Sequence, residues 1–470
     1  MIGRRAGAIT RPNVRSSRID PMQPRNGGYH GRSPAQFLRR RSVTMRCDAL
    51  VLDASLRQAL VTVRSLGRRG LAIAAADTHP EAPAFASRWC QGGFVCPAQE
   101  GTDAYAVLLE QWLDRTGARV LFASNDATIA LLRRHRARLE QRLRLALAPA
   151  QALATAINKE RTLEVARRLE VPVPREVVVR DAGDVAAALK EIGLPAVIKP
   201  SESWLWNGRE GARLGAQLAV TAAELRDAVE AVTRFGEVAL VQQLLTGRRE
   251  AVSLLYADGD VYARFAQWAK RTSPPLGGNS VLRQSIALPP DAGSYAESLV
   301  RDINLEGYCE VEFRRDAAGV PYLMEINPRL SASVELAVRA GVDFPYLLYQ
   351  WASGRPIERV AGYRIGGWMR HLGGDITTTL AALRQRGRPG ITPPVRTVWD
   401  FGISFLRPMA YDYLERTDLR PAVRATTTFA RDAIRSLASR VWKDRLHAVK
   451  ATTSFARDAI RSLTTRARKD

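Results

Sequence analysis

The chain has 470 residues, of which 46% are hydrophobic, and a formal net charge of +23. This length favours two or three domains with sizeable cores. No apolar run approaches the roughly 18 residues that span a bilayer, which excludes a transmembrane helix and predicts a soluble protein. Four scattered cysteines have no metal-binding spacing, and no secretory leader is recognised, which favours reduced thiols in the cytoplasm.

The positive charge is concentrated at the two ends of the chain. Residues 1–45 and 420–470 each carry a net charge of +9, which leaves about +5 for the middle. The middle has no basic patch interleaved with aromatic side chains, so nucleic-acid binding is not expected. Only seven of the seventy basic residues are lysines. A lysine within a motif is therefore more informative in this chain than an arginine.

Residues 1–45 are predicted to form a disordered basic leader, because they are rich in Arg, Gly, Ser and Pro without apolar periodicity. Two interpretations stay open, an organelle transit peptide or a true translation start at Met45. The second is preferred, since a strand pattern begins within a few residues of that methionine.

Residues 46–150 alternate between strand and helix patterns. The predicted strands are 49–52, 71–75 and 120–123, and the predicted helices are 55–66 and 126–136. This alternation indicates a parallel sheet covered by helices. The first turn, residues 52–57, lacks the GxGxxG pattern, so dinucleotide binding is not assigned.

Residues 151–245 contain a second set of elements. The predicted helices are 158–169, 184–191 and 221–233, and the predicted strands are 177–179, 194–200 and 238–242. Lys159 lies at the start of the first helix, and Lys199 lies at the end of an apolar strand. Because lysine is scarce here, both are candidate functional residues.

Residues 246–356 hold the longest run of strand patterns. The segments 309–313 and 322–327 both alternate in the manner of half-buried strands, and residues 316–319 between them are typical of a hairpin turn. The pattern therefore predicts two adjacent antiparallel strands.

This hairpin carries two carboxylates and an amide that can point to one face, Glu312, Glu325 and Asn327. Oxygen ligands of this kind are those that Mg²⁺ prefers, usually together with nucleotide phosphate. Glu325 and Asn327 lie within an apolar strand, where stray polar groups are costly. Glu310, by contrast, is expected to face solvent. The hairpin is therefore a candidate metal site.

The C-terminal part divides into an extension at 357–420, with Gly and Pro breaks, and a basic tail at 421–470. The tail contains a duplication, in which residues 425–444 recur at 451–470 with a period of 26. On a helix its apolar and basic residues separate to opposite sides. Such a helix can contact an anionic membrane or a protein partner. The alternative, a tail that packs on the body or frays, stays open.

In their order and spacing, these features resemble the ATP-grasp superfamily, in particular its carbamoyl-phosphate-synthase-like, carboxylate–amine ligase branch. The resemblance covers residues 48–355, and its most specific element is MEINPR at 324–329. It implies an α/β protein with an N-terminal parallel pre-ATP-grasp domain, a two-lobed α+β ATP-grasp fold and a basic helical tail. The implied boundaries are 46–150 for the first domain, 151–245 for the first lobe and 246–356 for the second lobe.

The resemblance also implies how ATP is bound. Lys159 and Lys199 would contact its phosphates, whose charge suits ammonium groups. Residues 242–245 would form the hinge around adenine, with Gln242 where the family commonly has an acid. The implied cofactor-binding residues are Lys159, Lys199, Gln242, Gln243, Leu245 and Glu250, the last contacting ribose or steadying a lysine. A glutamate on a surface strand is the alternative for Glu250.

The remaining implied roles concern metal and substrate. Glu312, Glu325 and Asn327 would hold Mg²⁺, or Mn²⁺ in its place. Arg329 would offset charge on the transferred phosphoryl group. The implied catalytic residues also include Arg271 and Arg283, which flank a Gly-rich loop at 273–280; an exposed turn is the alternative for this loop. The lid segment at 200–211 is longer than in the family.

The implied reaction is phosphorylation of a carboxylate by Mg-ATP, followed by attack of an amine or a similar nucleophile on the acyl phosphate. The expected partners are a small-molecule carboxylate and an amine, whose identities stay open, as does the oligomeric state. The alternative function is a catalytically inactive nucleotide-binding module, tethered by its basic tails to a membrane or a partner.

Overall fold

A computed structural model describes residues 45–206 and 211–436. The predictions for the leader, for the tip of the lid segment and for most of the C-terminal duplication lie outside these residues. Within the described ranges, no helix is long and apolar enough to cross a membrane.

The first described region is the predicted parallel α/β domain. Its strands are β1 (Ala49–Val51), β2 (Ile73–Asp77), β3 (Cys90–Val95), β4 (Val120–Phe122) and β5 (Arg144–Leu145). Its helices are α1 (Arg57–Arg68), α2 (Asp103–Thr116), α3 (Asp126–Arg134), α4 (Arg136–Leu139) and α5 (Ala150–Ile157), with a 3-10 helix at Pro83–Ala86. The strand order is β3-β2-β1-β4-β5, and all neighbours are parallel. Strands β1, β2 and β4 are buried throughout, as is typical of parallel strands.

The first lobe is built on a smaller sheet. Its strands are β6 (Glu176–Val179), β7 (Ala196–Pro200), β8 (Trp204–Trp206), β9 (Gly211–Arg213), β10 (Gln217–Ala219) and β11 (Ala239–Gln243). Its helices are α6 (Lys159–Arg168), α7 (Val185–Ile192) and α8 (Ala222–Thr233), with a 3-10 helix at Ala182–Asp184. Four strands form an antiparallel sheet in the order β10-β7-β11-β6, and β8 pairs with β9 alone. The apolar faces of α7 and α8 form a core with this sheet.

The second lobe contains a seven-stranded sheet. Its strands are β12 (Arg249–Ala257), β13 (Asp260–Ser273), β14 (Asn279–Ile286), β15 (Gly307–Arg315), β16 (Pro321–Asn327), β17 (Trp368–Arg370) and β18 (Ala410–Tyr411). Its helices are α9 (Pro290–Asp302), α10 (Val334–Ala340) and α11 (Phe344–Ala352). The strand order is β16-β15-β12-β13-β14-β17-β18, antiparallel except for β17 with β18.

The predicted hairpin is present as β15 and β16. In its turn Asp316 Oδ1 accepts a hydrogen bond from the Val320 amide at 2.9 Å. Gly319 has a φ of +84°, a left-handed conformation that favours glycine. The turn chemistry that predicted the hairpin therefore also explains its geometry.

The extension at 357–420 is part of the second sheet. It supplies β17, which pairs with β14, and β18, which pairs with β17. Its helices are α12 (Leu372–Arg384) and α13 (Pro394–Ile403), with a 3-10 helix at Ser404–Leu406. Residues 420–436 are also helical.

Candidate active site

The three predicted metal ligands lie together on one face of the β15–β16 hairpin. Glu312 is opposite Glu325, and Glu310 is opposite Asn327, so all four side chains share that face. Asn327 Nδ2 lies 3.2 Å from Glu312 Oε1 and 3.4 Å from Glu325 Oε1. The convergence expected from the sequence is therefore present in the structure.

The chemistry of these side chains fits a divalent cation. Burial raises the pKa of Glu312 to about 7, and Glu325 and Glu310 add to this shift while Arg249 opposes it. A cation among these carboxylates would relieve their repulsion. No three His, Cys, Asp or Glu side chains in the described part of the chain are grouped so that they could hold a metal ion. An ion here would therefore need Asn327 and ligand oxygens as well.

The two candidate lysines approach the same carboxylates from the first lobe. Lys159 follows Asn158, which caps α6 by accepting a hydrogen bond from the Arg161 amide at 3.0 Å. Its Nζ lies 3.9 Å from Glu325 Oε2 and donates to Ser203 Oγ at 3.1 Å.

Lys199, near the end of β7, is 4.0 Å from Met324 Sδ, next to Glu325 in sequence. Burial lowers the pKa of Lys199 to about 8, with a contribution from Lys159, although Glu325 and Glu312 oppose the shift. Burial also acts against ionisation of Glu325, but Lys159 and Lys199 hold its pKa below its usual value. The lysines and the carboxylates thus form one coupled group of charges.

This group lines a cavity of about 330 Å³ between the two lobes. That volume is within the range of small-molecule sites. The cavity is lined by the lysines and Glu312 and Glu325, by residues 242–245 at the end of β11, by residues 213–216 and by most of the loop at 273–279. Both predicted loop regions, the hinge and the Gly-rich loop, therefore face the same space.

The hinge side chains are partly occupied by protein contacts. Gln242 is buried, and its Nε2 donates to Glu176 Oε2 at 2.9 Å. Gln243 Oε1 accepts from Arg175 Nε at 2.8 Å. Leu245 also lines the cavity. Contact with adenine stays a prediction for all three residues.

Arg329 lies in a smaller adjoining cavity of about 40 Å³, together with Lys159, Glu325 and Asn327. Its Nε is 2.8 Å from Asp126 Oδ1, at the start of α3 in the N-terminal domain. Burial disfavours the charge on Arg329, but Asp126 holds its pKa above its usual value. Arg329 is therefore a charged group beside the carboxylates, and its contact with the phosphoryl group stays a prediction.

Three predicted site residues lie elsewhere. Glu250 forms an ion pair with Arg315, whose Nε is 2.9 Å from Glu250 Oε2, and it lines a small neighbouring cavity of about 30 Å³ instead of the 330 Å³ cavity. Arg283 is fully buried and forms two bonds with Asp412 at 2.7 and 2.9 Å. Arg271 forms two bonds with Asp375 at 2.6 and 2.7 Å. Because the extension supplies both aspartates, the structure does not bring these arginines into the central group.

The lid segment contributes two serines to this region. Ser201 Oγ donates to Glu237 Oε2 at 2.8 Å. Ser201 contacts Lys159 through its backbone carbonyl, which accepts from the Lys159 amide at 2.9 Å, whereas Ser203 accepts from Lys159 Nζ and lines the cavity. The expectation that Glu310 faces solvent is wrong, since it is only 4% exposed. The alternating pattern of β15 could not show that strands β12 and β13 and Ser333 enclose this face.

Sequence reasoning missed two residues of the site. Arg249 Nε is 2.9 Å from Glu312 Oε2, and Arg249 lines the 330 Å³ cavity. Asp126, the partner of Arg329, comes from a different domain. With sixty-three arginines in the chain, Arg249 carried no distinguishing signal.

The chain was compared with known protein families and with curated proteins. A family model described as ATP-grasp in the biosynthetic pathway with Ter operon matches residues 237–366. The D-alanine–D-alanine ligase of Nitrosospira multiformis is 26% identical over 212 residues, covering 42% of this chain and 66% of the relative. The corresponding ligase of Pseudomonas fluorescens is 33% identical over 209 residues, covering 42% and 62%. The predicted resemblance to the ATP-grasp superfamily is therefore confirmed by sequence similarity.

The ATP-grasp fold is also seen in solved structures. The biotin carboxylase domain of 2-oxoglutarate carboxylase from Hydrogenobacter thermophilus matches with a TM-score of 0.54 and 19% identity, covering 69% of this chain and 74% of that chain. The predicted ATP-grasp fold is therefore confirmed. This chain spans 62% to 66% of the length of the two curated ligases. Their activity is accordingly a proposal for this ATP-grasp protein.

Proposed function

We propose that this ATP-grasp protein is an ATP-dependent ligase, which activates a carboxylate as an acyl phosphate and couples it to an amine or a similar nucleophile. One observation carries the proposal. Lys159 and Lys199 of the first lobe meet Glu312 and Glu325 of the second lobe around one cavity, and Asn327 Nδ2 lies 3.2 Å and 3.4 Å from these two carboxylates. The similarity to D-alanine–D-alanine ligases supports the same class of reaction.

The lysines would bind the phosphates of ATP. Lys159 and Lys199 are held near Glu325, so they are oriented before a nucleotide arrives. Phosphate oxygens would add to the favourable charge around both ammonium groups. Residues 242–245 line the same cavity and would contact the base.

Glu312, Glu325 and Asn327 would hold Mg²⁺, or Mn²⁺ in its place. When bound, the ion would neutralise phosphate charge during phosphoryl transfer. Arg329 is fixed by Asp126 at 2.8 Å, and would stabilise negative charge that develops next to Glu325. No covalent nucleophile of the protein is required, because positioning and charge neutralisation suffice for this chemistry.

The substrates would be small molecules, a carboxylate and an amine. A cytoplasmic location is part of the proposal and is supported by four free cysteines. Contact of residues 421–470 with a membrane or a partner concerns a segment that lies mostly outside the described residues.

The decisive experiment measures ADP release by the full-length protein with Mg-ATP and a panel of carboxylates and amines. We expect at least one pair to stimulate release, and Lys199→Met to lower kcat/KM about 100-fold or more, in line with losing a preorganised charged contact. Lys190→Met is the matched control, because Lys190 is exposed on α7 of the same lobe.

A different outcome would favour the inactive module. If the wild type binds ATP but no carboxylate raises ADP release above that of Glu325→Gln, the ligase proposal fails. Nucleotide binding measured alone by calorimetry separates this result from a protein that is simply misfolded.

A further inference from the structure

A second, much smaller cavity lies on the carboxylate face of the seven-stranded sheet. It has a volume of about 30 Å³ and is lined by Gln267, Glu310, Glu312, Ser333 and Arg249, among others. This space holds one or two groups the size of a water molecule. Glu312 and Arg249 also line the 330 Å³ cavity, so the two spaces adjoin.

Glu310 is a buried carboxylate that lies beyond ion-pair distance of the basic side chains described. Its Oε2 accepts hydrogen bonds from Gln267 Nε2 at 2.9 Å, Ser333 Oγ at 3.2 Å and Ser253 Oγ at 3.4 Å. No Lys, Arg or His of the described residues forms an ion pair with it. Arg249 is paired with Glu312 instead. A buried carboxylate without an ion pair is costly, so a ligand that pairs with Glu310 would be favoured.

Gln267 provides an independent observation. It is 4% exposed, and its Nε2 donates to Glu310 and to Ser333 Oγ. A carboxylate can only accept, and this fixes which end of the amide faces Glu310. The other atom, Gln267 Oε1, is buried without any hydrogen-bond donor. Orphaned buried acceptors are rare in native structures and call for an explanation.

Both observations point to the same missing group. Glu310 Oε1 accepts no hydrogen bond from any described residue, and neither does Gln267 Oε1. A ligand that satisfied both oxygens and paired with the carboxylate would donate several hydrogen bonds, carry positive charge and be small. A primary ammonium group has three donors, no acceptor and one positive charge.

We propose that Glu310 and Gln267 bind the ammonium group of the substrate whose carboxylate is activated, which makes that substrate an amino acid. The proposal rests on the ligase function above. An ammonium group held by a carboxylate keeps its proton and has no lone pair with which to attack. It therefore serves to recognise the carboxylate substrate and does not act as the nucleophile. Glu312 lies two residues along the strand, about 7 Å from Glu310, which a small amino acid can span.

The first test measures binding, independently of turnover. The full-length protein with ADP is titrated with free D- and L-α-amino acids, and binding is followed by calorimetry and thermal unfolding. For each amino acid that binds, the corresponding α-hydroxy acid is titrated in the same way. We expect at least one amino acid to bind about 100-fold or more tightly than its hydroxy acid, because the hydroxy acid leaves the site's acceptors unpaired. Equal binding of the two, or no binding by any amino acid, overturns the proposal.

Two variants locate the site. Glu310→Gln removes the charge and keeps the shape, and should lower amino acid affinity at least tenfold while the affinity for ADP is unchanged. Gln267→Met removes the orphaned oxygen and should reduce the preference for the amino over the hydroxy compound. Glu191→Gln, an exposed glutamate of the first lobe, is the matched control and should behave as wild type. Amino acid binding that is unchanged in both Glu310→Gln and Gln267→Met contradicts the assignment.

A monovalent metal ion is the competing occupant. Thermal unfolding in potassium chloride is therefore compared with that in choline chloride at equal ionic strength. If potassium alone stabilises the wild type but not Glu310→Gln, the site binds an inorganic cation and the ammonium proposal is wrong. Failure of the ligase proposal would appear differently, as amino acid binding without ADP release.

Discussion

The two halves of the seven-stranded sheet differ in how their buried charges are paired. On β15 and β16, Glu310, Glu312 and Glu325 share one face and outnumber the cations that pair with them there. Around β14 and β17, each of two buried aspartates from the extension is shared by two arginines. Arg283 pairs with Asp412 at 2.7 Å, and Arg370 pairs with Asp375 at 2.9 Å.

The charges around β14 and β17 stabilise the fold, whereas those on β15 and β16 are available to interact with a ligand. An ion pair completed by the protein itself leaves nothing for a small molecule to neutralise. Burial in the cavity displaces the pKa of Glu312 even though Arg249 opposes the shift, and a displaced pKa is a feature of functional sites. The first half should therefore respond to substitution through activity, and the second half through stability.

The largest effect is expected for Glu325→Gln. Glu325 lies next to both lysines and to Asn327, so its loss removes a predicted metal ligand and the charge that orients Lys159. We expect kcat to fall about 10³-fold, the size typical of losing a group that stabilises the transition state. The measurement is ADP release at saturating ATP. A fall of less than tenfold, with the circular dichroism spectrum unchanged, would place the chemistry elsewhere.

Asp412→Asn should act on stability. It would leave Arg283 and Arg57 buried with a lost partner, since both lie within 2.9 Å of Asp412. We expect the free energy of unfolding to fall by about 3–5 kcal/mol, the usual cost of breaking a buried pair. Chemical denaturation measures it.

The pH dependence of this variant provides a check. Burial disfavours ionised Asp412, but Arg283 and Arg57 hold its pKa below its usual value. A depressed carboxyl pKa contributes stability that is present above the unfolded-state pKa and is lost as the pH falls. The difference between wild type and Asp412→Asn should therefore shrink in acid. A constant difference from neutral to acidic pH would contradict the ion-pair explanation.

A third prediction uses the titration of Lys199. Its pKa of about 8 means that it loses its charge just above neutral pH in the free protein. Since phosphate binding needs the charged form, the affinity for ATP should decrease up to about tenfold per pH unit above that value. Calorimetry from pH 7 to 9 measures the slope. Lys199→Arg, which stays charged, should flatten it, and an unchanged slope would assign the titration to another group.

The sequence predicted the parts of the site that depend on local pattern and scarce residues. The β15–β16 hairpin followed from strand alternation and from Gly319, and Lys159 and Lys199 stood out because lysine is rare. The burial of Glu310 did not follow, since it depends on β12 and β13 lying beside β15.

Arg271 and Arg283 also show that the partners of buried charges could not be predicted from the sequence. Arg271 and Arg283 flank a loop that does line the cavity, yet their side chains pair with Asp375 and Asp412, more than a hundred residues later. Such partners depend on how the extension adds β17 and β18 to the sheet, and no local pattern in residues 357–420 indicated it. Fold and superfamily were therefore accessible from sequence, whereas the pairing of buried charges was not.

The smallest effect is expected where an ion pair is exposed. Arg168 Nη2 lies 2.7 Å from Asp302 Oδ2, a geometry as good as that of Asp412, but Arg168 is largely solvent-accessible. Water already solvates both groups, so Asp302→Asn should change the free energy of unfolding by less than about 1 kcal/mol. The same denaturation experiment used for Asp412→Asn measures it. If the two substitutions cost the same, burial would not be what distinguishes structural ion pairs in this protein, and the contrast between the two halves of the sheet would lose its physical basis.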